Sequence, residues 1–208
     1  MLGLKQVFIF GYSGHAYVIL ESLLDAGYKI AGYFDFKKAE KNPYNLNYLG
    51  FEKEEDLKTI IGNGFVFPTI GENSIRAKLV NLFEANNLNQ FAAIDPRSAV
   101  SKTAVISVST YIGKNAVINA QATIGKGVII NTNAIVEHEC KIGDLTHIAP
   151  GSVLCGNVSI GQNSFVGANA VVKQNIHIGS NVLVGAGSVV VKNLPDNGTW
   201  VGNPVKSK

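Results

Sequence analysis

The stretch from Ala116 to Gly151, "AVINAQATIGKGVIINTNAIVEHECKIGDLTHIAPG", repeats itself every six residues. Ile118, Ile124, Ile130, Val136, Ile142 and Ile148 stand at that step. The same step runs upstream through Ile112, Ile106, Val100 and Ile94, and downstream through Leu154, Ile160, Val166, Val172, Ile178, Val184 and Val190, with no insertion. Two residues before most of these aliphatics stands a small side chain: Ser98, Ala104, Thr110, Ala116, Ala122, Ala134, Cys140, Thr146, Ser152, Ser164, Ala170 and Ser188. Side chains two apart on extended backbone share a face, so the large and the small residue point the same way. A strict hexapeptide period marks coils that stack and bury one continuous core. Three hexads close a triangular coil, and 17 hexads give about five or six coils. The aliphatics are therefore scaffold. Gly113, Gly125, Gly143, Gly161, Gly179 and Gly185 follow the aliphatic position, and are read as turns where φ is least restricted.

The residues before this repeat have another rhythm. "KQVFIFG", "YKIAGYFD" and "FVFPTIG" are short buried-strand runs. Between and after them, "GHAYVILESLLDAG" is helical and stops at Gly27, "EKEEDLKTII" is a short amphipathic helix, and "NSIRAKLVNLFEANN" is a long one. Strand-helix alternation predicts a small Rossmann-like parallel sheet. The expected organisation is an α/β domain over residues 1–90 and an all-β parallel β-helix with a C-terminal tail over residues 91–208.

Composition narrows the function classes. Charged residues are 16% against 46% hydrophobic, too apolar a balance for disorder. A net charge of +3 argues against nucleic acid and leaves room for a local basic site for a small anion. No run of 18 apolar residues exists, so no membrane span is expected. "MLGLKQVFIFG" lacks the layout of a signal peptide. Two cysteines make no disulfide framework, and a cytoplasmic setting with free thiols is expected.

Three segments carry chemistry. Val136 points inward, so Glu137, His138 and Glu139 fall in the turn after it, at a corner of the prism, with His138 facing out. A solvated turn and a general base held by its carboxylate neighbour are both open readings. Gly156, 18 residues on, stacks one coil beyond His138. It is either a plain turn glycine or a bare backbone N–H facing an oxyanion. In "IFGYSGHAY", Gly11 and Gly14 lie between a strand and a helix, where backbone N–H groups favour phosphate. Ser13 stands where a dinucleotide fingerprint needs its second glycine, which favours a mononucleotide diphosphate over NAD. Asp35 ends the second strand, the place of a carboxylate that binds ribose or base. Lys37 is either a phosphate contact or a solvated lysine, and Gly71 ends the third strand beside the same crevice.

The strand-"GYSGH"-helix start, joined to "IVEHECKIGDLTHIAPG" in the coils, resembles the bacterial nucleotide-sugar N-acetyltransferases of the hexapeptide acyltransferase superfamily, in particular those acting on UDP-4-amino sugars. The resemblance spans nearly the whole chain. It implies acetyl transfer from acetyl-CoA, a co-substrate and not a resident cofactor, to the 4-amino group of a UDP- or dTDP-linked amino-deoxy sugar. It places the general base on His138 and its tuning carboxylate on Glu139. It assigns acetyl-CoA contacts to His147, Gly156, Ala168 and Ala186. The nucleotide sugar falls to Ser13, Gly14 and His15, with Asp35 and Phe36 near the nucleoside. Many relatives show two acids where this chain has Asp35-Phe36, which puts the nucleobase contact in doubt. The rival enzymatic reading is O-acetylation of a sialic-acid-type sugar. The rival outside catalysis is a non-catalytic or metal-binding hexapeptide scaffold. His138, His147 and His177 are 9 and 30 residues apart; neither interval is a multiple of 18, so they do not stack as metal ligands, and no metal is expected. His138 and His147 fall on separate parts of the coil. A homotrimer with sites between subunits is therefore expected, each using His138 of one chain and His147 of its neighbour.

Overall fold

The computed structural model describes residues 6–208. The leading residues 1–5, and with them the start of the segment read as lacking a signal peptide, lie outside the described residues.

Four parallel strands, β1 (Gln6–Phe10), β2 (Lys29–Phe34), β3 (Phe65–Pro68) and β4 (Asn89–Gln90), form a sheet in the order β2-β1-β3-β4. Val7, Phe8, Ile9 and Phe10 of β1 are all buried, as a central parallel strand covered on both faces requires. Helix α1 (Gly14–Asp25) covers one face, packing Ala16, Ile19, Leu20 and Leu23 on Val7, Ile9 and Tyr33. Helices α2 (Leu57–Ile61) and α3 (Asn73–Ala85) cover the other, bringing Leu57, Ile61, Leu79 and Phe83 onto Phe8, Phe10 and Phe34. Gly27, just past α1, has φ +82°, the left-handed stop a helix end favours. The helix read in "EKEEDLKTII" is shorter than expected. Asp56 accepts from the Thr59 N–H at 3.3 Å and caps the helix at its actual start.

From Ala93 the chain winds into a left-handed β-helix of about six turns. Residues 18 apart pair in parallel, as in Ile129↔His147, Ile135↔Val153 and Lys141↔Ser159, so the coil length is the one that three hexads predict. Every hexad aliphatic from Ile112 to Val190 is at most 3% exposed. Ile94, counted with them from the sequence, is instead exposed, and Val100 and Ile106 are half-buried; the first coil has a neighbour on one side only. The small residues share the core. Thr110, Thr146, Ser152 and Ser164 satisfy their buried hydroxyls by donating to the Gly125, Gly161, Gly167 and Gly179 carbonyls at 2.7–2.9 Å.

The glycines after the aliphatic positions require a different explanation from the expected one. None of Gly113, Gly125, Gly143, Gly161, Gly179 and Gly185 has a positive φ. A Cβ on Gly143 or Gly161 would stand 2.6 or 2.5 Å from a backbone nitrogen of the next coil, so these glycines permit stacking. The left-handed corner comes two residues later, again every six: Ser109, Asn115, Gln121, Gly127, Asn133, Glu139, Leu145, Gly151, Asn157, Asn163, Asn169, Asn175, Asn181 and Gly187, with φ between +55° and +70°.

The three outer faces differ. On the first, Tyr111, Ile129, His147, Phe165 and Leu183 stack, and Tyr111 and Ile129 join the α1 side of the N-terminal core. On the second, Val117, Ile135, Val153, Val171 and Val189 form an uncovered aliphatic stripe. The third is mostly polar: Thr123, Lys141, Ser159 and His177. Among the described residues no helix is long and apolar enough to cross a membrane.

Candidate active site

His138 and Glu139 follow the strand Ile135–Val136 and occupy the corner between the second and third faces. Their side chains are 58% and 63% exposed, and His138 Nδ1 lies 3.0 Å from Glu139 Oε2. With Nδ1–H donated to the carboxylate, Nε2 keeps a free lone pair. Gly156 lies directly against the ring: a Cβ there would stand 2.5 Å from Nε2. The φ of Gly156 is not positive, so its place against the exposed His138 ring, and not a left-handed backbone, is what distinguishes it. The Gly156 N–H makes no hydrogen bond to the described residues.

His147 faces out from its strand, but the N-terminal domain covers it, leaving 8% exposed. Asn131 Nδ2 lies 3.1 Å from its Nε2, and its ring is 6.2 Å from that of His15 and 5.0 Å from that of Phe165. His147 Nδ1 and His15 Nε2 are buried without a hydrogen-bond partner among the described residues. Burial, with the nearby Arg76 charge adding to it, lowers the His147 pKa to about 3 and that of His15 to about 4. Gly71 lies beside His15, and with His147, Phe165 and Leu183 it lines an open cavity of about 620 Å³ between the two domains. Arg76, buried on α3, holds this junction together. It donates to the Gly127, Ile70, Gly71 and Leu145 carbonyls and to Asn73 Oδ1.

Ala168 and Ala186, 18 apart, stand one coil above the other at the corner after the first face. Within one chain the residues assigned to acetyl-CoA thus occupy different sides: Gly156 with His138 at one corner, His147 on the opposite face, and the two alanines at another corner.

The residues expected to hold the nucleotide sugar lie at the carboxyl ends of β1, β2 and β3, where open α/β sheets bind ligands. Gly11 has φ +97°, a left-handed conformation that favours glycine, and a Cβ there would push the tip of the Ile70 side chain aside. Ser13 is the N-cap of α1 but makes no side-chain cap bond, which leaves its hydroxyl and the first helical N–H groups available. Asp35 accepts from the Tyr12 N–H at 2.8 Å and the Phe36 N–H at 2.7 Å, so it shapes this loop. Lys37 stands 3.7 Å from Glu40, both exposed. Tyr12, Ser13, Gly14, Asp35 and Lys37 line a cavity of about 370 Å³. Gly11, Asp35, Phe36, Phe51 and Glu52 line another of about 310 Å³.

Arg76, Asn131 and Glu52 were not singled out from the sequence. Arg76 sits in the helical run "NSIRAKLVNLFEANN", five residues after Gly71, but a helical arginine reads as solvated unless its burial is known. Among the described residues no cluster of His, Cys, Asp or Glu could hold a metal ion.

Residues 6–83 match the PglD N-terminal domain family, and residues 121–156 and 157–192 match the bacterial transferase hexapeptide (six repeats) family. A mutant of perosamine N-acetyltransferase from Caulobacter crescentus, solved with CoA and GDP-perosamine, is 33% identical over 100% of this chain and 98% of that one, with a TM-score of 0.92. The acetyltransferase domain of PglB from Neisseria gonorrhoeae FA1090, in complex with acetyl coenzyme A, is 29% identical over 99% of this chain and 100% of that one, with a TM-score of 0.91. WeeI from Acinetobacter baumannii AYE, at 22% identity and a TM-score of 0.79 over 98% of this chain and all of that one, shares the fold. With these matches across the α/β sheet and the coils, the chain belongs to the nucleotide-sugar N-acetyltransferases, acyltransferases of the left-handed β-helix hexapeptide superfamily.

Proposed function

We propose that this enzyme transfers acetyl from acetyl-CoA to the 4-amino group of a nucleotide-linked amino-deoxy sugar. The observation that carries the reading is the His138–Glu139 pair at 3.0 Å, backed by a glycine that clears space beside Nε2. The sugar's amine nitrogen attacks the thioester carbonyl carbon. His138 Nε2 takes the proton that the nitrogen must lose, and the Gly156 N–H faces the developing oxyanion. Collapse of the tetrahedral species breaks the C–S bond. The proton passes from His138 to the departing sulfur, giving the amide and CoA thiol.

The diphosphate rests at the N-terminus of α1, on Ser13, Gly14 and His15. Asp35 and Phe36 stand at the nucleoside end, Lys37 reaches toward a phosphate, and Gly71 lies beside His15 at the junction cavity. His147, Ala168 and Ala186 line the coenzyme's path. The perosamine relative carries a GDP-linked sugar, so guanine joins uracil and thymine as a base to be tested. The reaction is placed in the cytoplasm, where the free Cys140 and Cys155 stay reduced.

The site is shared between subunits of a homotrimer. In one chain His138 occupies the corner opposite the face that bears His147, so the two cannot meet on one acetyl group. The uncovered aliphatic stripe from Val117 to Val189 is the surface such packing would bury.

Thiol release from acetyl-CoA, measured with GDP-, UDP- and dTDP-linked 4-amino sugars and with a sialic-acid-type acceptor, tests the reaction. Release with an amino sugar is expected, and His138→Ala should lower kcat by about 10²-fold or more. Release only with the hydroxyl acceptor, or a His138→Ala enzyme above half of wild-type kcat, would refute it.

A further inference from the structure

The loops after β1, β2 and β3 enclose a slot of about 310 Å³, the small end of the roughly 300–1,000 Å³ range of ligand pockets. It fits a base and ribose better than a whole nucleotide sugar. Its mouth carries Phe36, 75% exposed and among the most exposed large apolar side chains of the protein. Phe51 meets Phe36 edge to face at 5.5 Å, and the Lys53 ammonium lies 5.7 Å from the Phe51 ring. A bare aromatic at the carboxyl end of a parallel sheet offers a surface on which a base can stack.

The slot also holds a carboxylate with no assigned role. Glu52 is half-buried, and among the described residues no other residue donates a hydrogen bond to its carboxylate. Asp35, the acid expected to read the nucleoside, is already engaged by the Tyr12 and Phe36 N–H groups. Burial raises the Glu52 pKa, and the Asp35 charge adds to the shift; an incoming pair of donors would relieve both.

We propose that Phe36, Phe51 and Glu52 form a nucleobase site selective for guanine. The inference deepens the nucleotide-sugar reading above and rests on it. Guanine alone presents two adjacent donors on its Watson–Crick edge, N1–H and the exocyclic N2–H, matching the two oxygens of an ionised carboxylate, which only accepts. Uracil and thymine present one N–H between two carbonyl oxygens, and those oxygens would face the negative charge. Adenine and cytosine each place a ring-nitrogen acceptor beside their amino group, which leaves one carboxylate oxygen unmatched. A bidentate pair of this kind discriminates by roughly 5- to 150-fold.

Calorimetric titration of the full chain with GDP, UDP, dTDP and ADP tests the site. GDP should bind at least about 5-fold more tightly than the other three. Glu52→Gln, which replaces one acceptor oxygen with a donor, should erase that preference while leaving acetyl-CoA binding and the melting temperature unchanged. UDP or dTDP binding as tightly as GDP, a Glu52→Gln protein that keeps the preference, or no binding by any of the four would overturn the proposal. Acetyl transfer to a UDP-linked amino sugar with equal efficiency would refute guanine selection and leave the acetyltransferase reading standing.

Discussion

Glu139 is held in a conformation its side chain disfavours. Of the fourteen left-handed corners from Ser109 to Gly187, Asn fills seven and Gly three, the residue types that tolerate this region best. A glutamate at φ +61° costs about 1–2 kcal/mol relative to those choices. The same φ recurs at Ser109, Gln121 and Leu145; at Glu139 it brings a carboxylate to His138 Nδ1. Glu139→Asn should therefore separate stability from activity. Removing about 1 kcal/mol of strain should raise the melting temperature by about 2–4 °C, while losing the carboxylate lowers kcat by at least about 10-fold. A variant that gains stability with unchanged kcat would show that the carboxylate does not assist the histidine.

The contact between α1, α3 and the first face of the coils places two neutral histidines beside a buried arginine, and its stability should depend on pH. His15 and His147 have folded-state pKa values of about 4 and about 3, below the usual value of about 6.5. The unfolded chain thus takes up protons first as pH falls. Their contribution is complete above about pH 6.5 and is lost progressively toward the folded values, at up to about 1.4 kcal/mol per pH unit for each histidine. The melting temperature should fall between pH 6.5 and 4.5, and His147→Gln should fall less steeply; parallel slopes would mean that His147 protonates freely in the folded chain. This junction was the part least readable in the sequence. The hexad period displayed the inward residues directly, and strand-helix alternation displayed the sheet. Arg76 bonds to Gly127 and Leu145, carbonyls 51 and 69 residues away, and no local pattern encodes such a contact. The stacking glycines were visible, but their reason was not, because the atom each would strike belongs to the next coil. His138 was readable because its corner follows from the period alone, whereas the cover over His147 depends on how two domains meet.

Among the described residues the second face of the coils carries a continuous, partly exposed aliphatic stripe, Val117, Ile135, Val153, Val171 and Val189. His138 and Gly156 lie at the edge of that face, and His147 lies on another face under the N-terminal domain. A C₃ trimer that buries the stripe would bring one chain's base to its neighbour's coenzyme surface and close three equivalent sites. Catalysis would then belong to the assembly: each isolated chain carries both halves of a site but cannot join them. The most direct measurement is thiol release by His138→Ala and His147→Ala, each alone and then co-expressed. Each alone should be inactive. In the mixture, a site needs one chain with intact His138 beside one with intact His147, a chance of one half times one half under random assembly, so about a quarter of wild-type activity should return. A mixture as inactive as the separate variants would contradict a site shared between subunits.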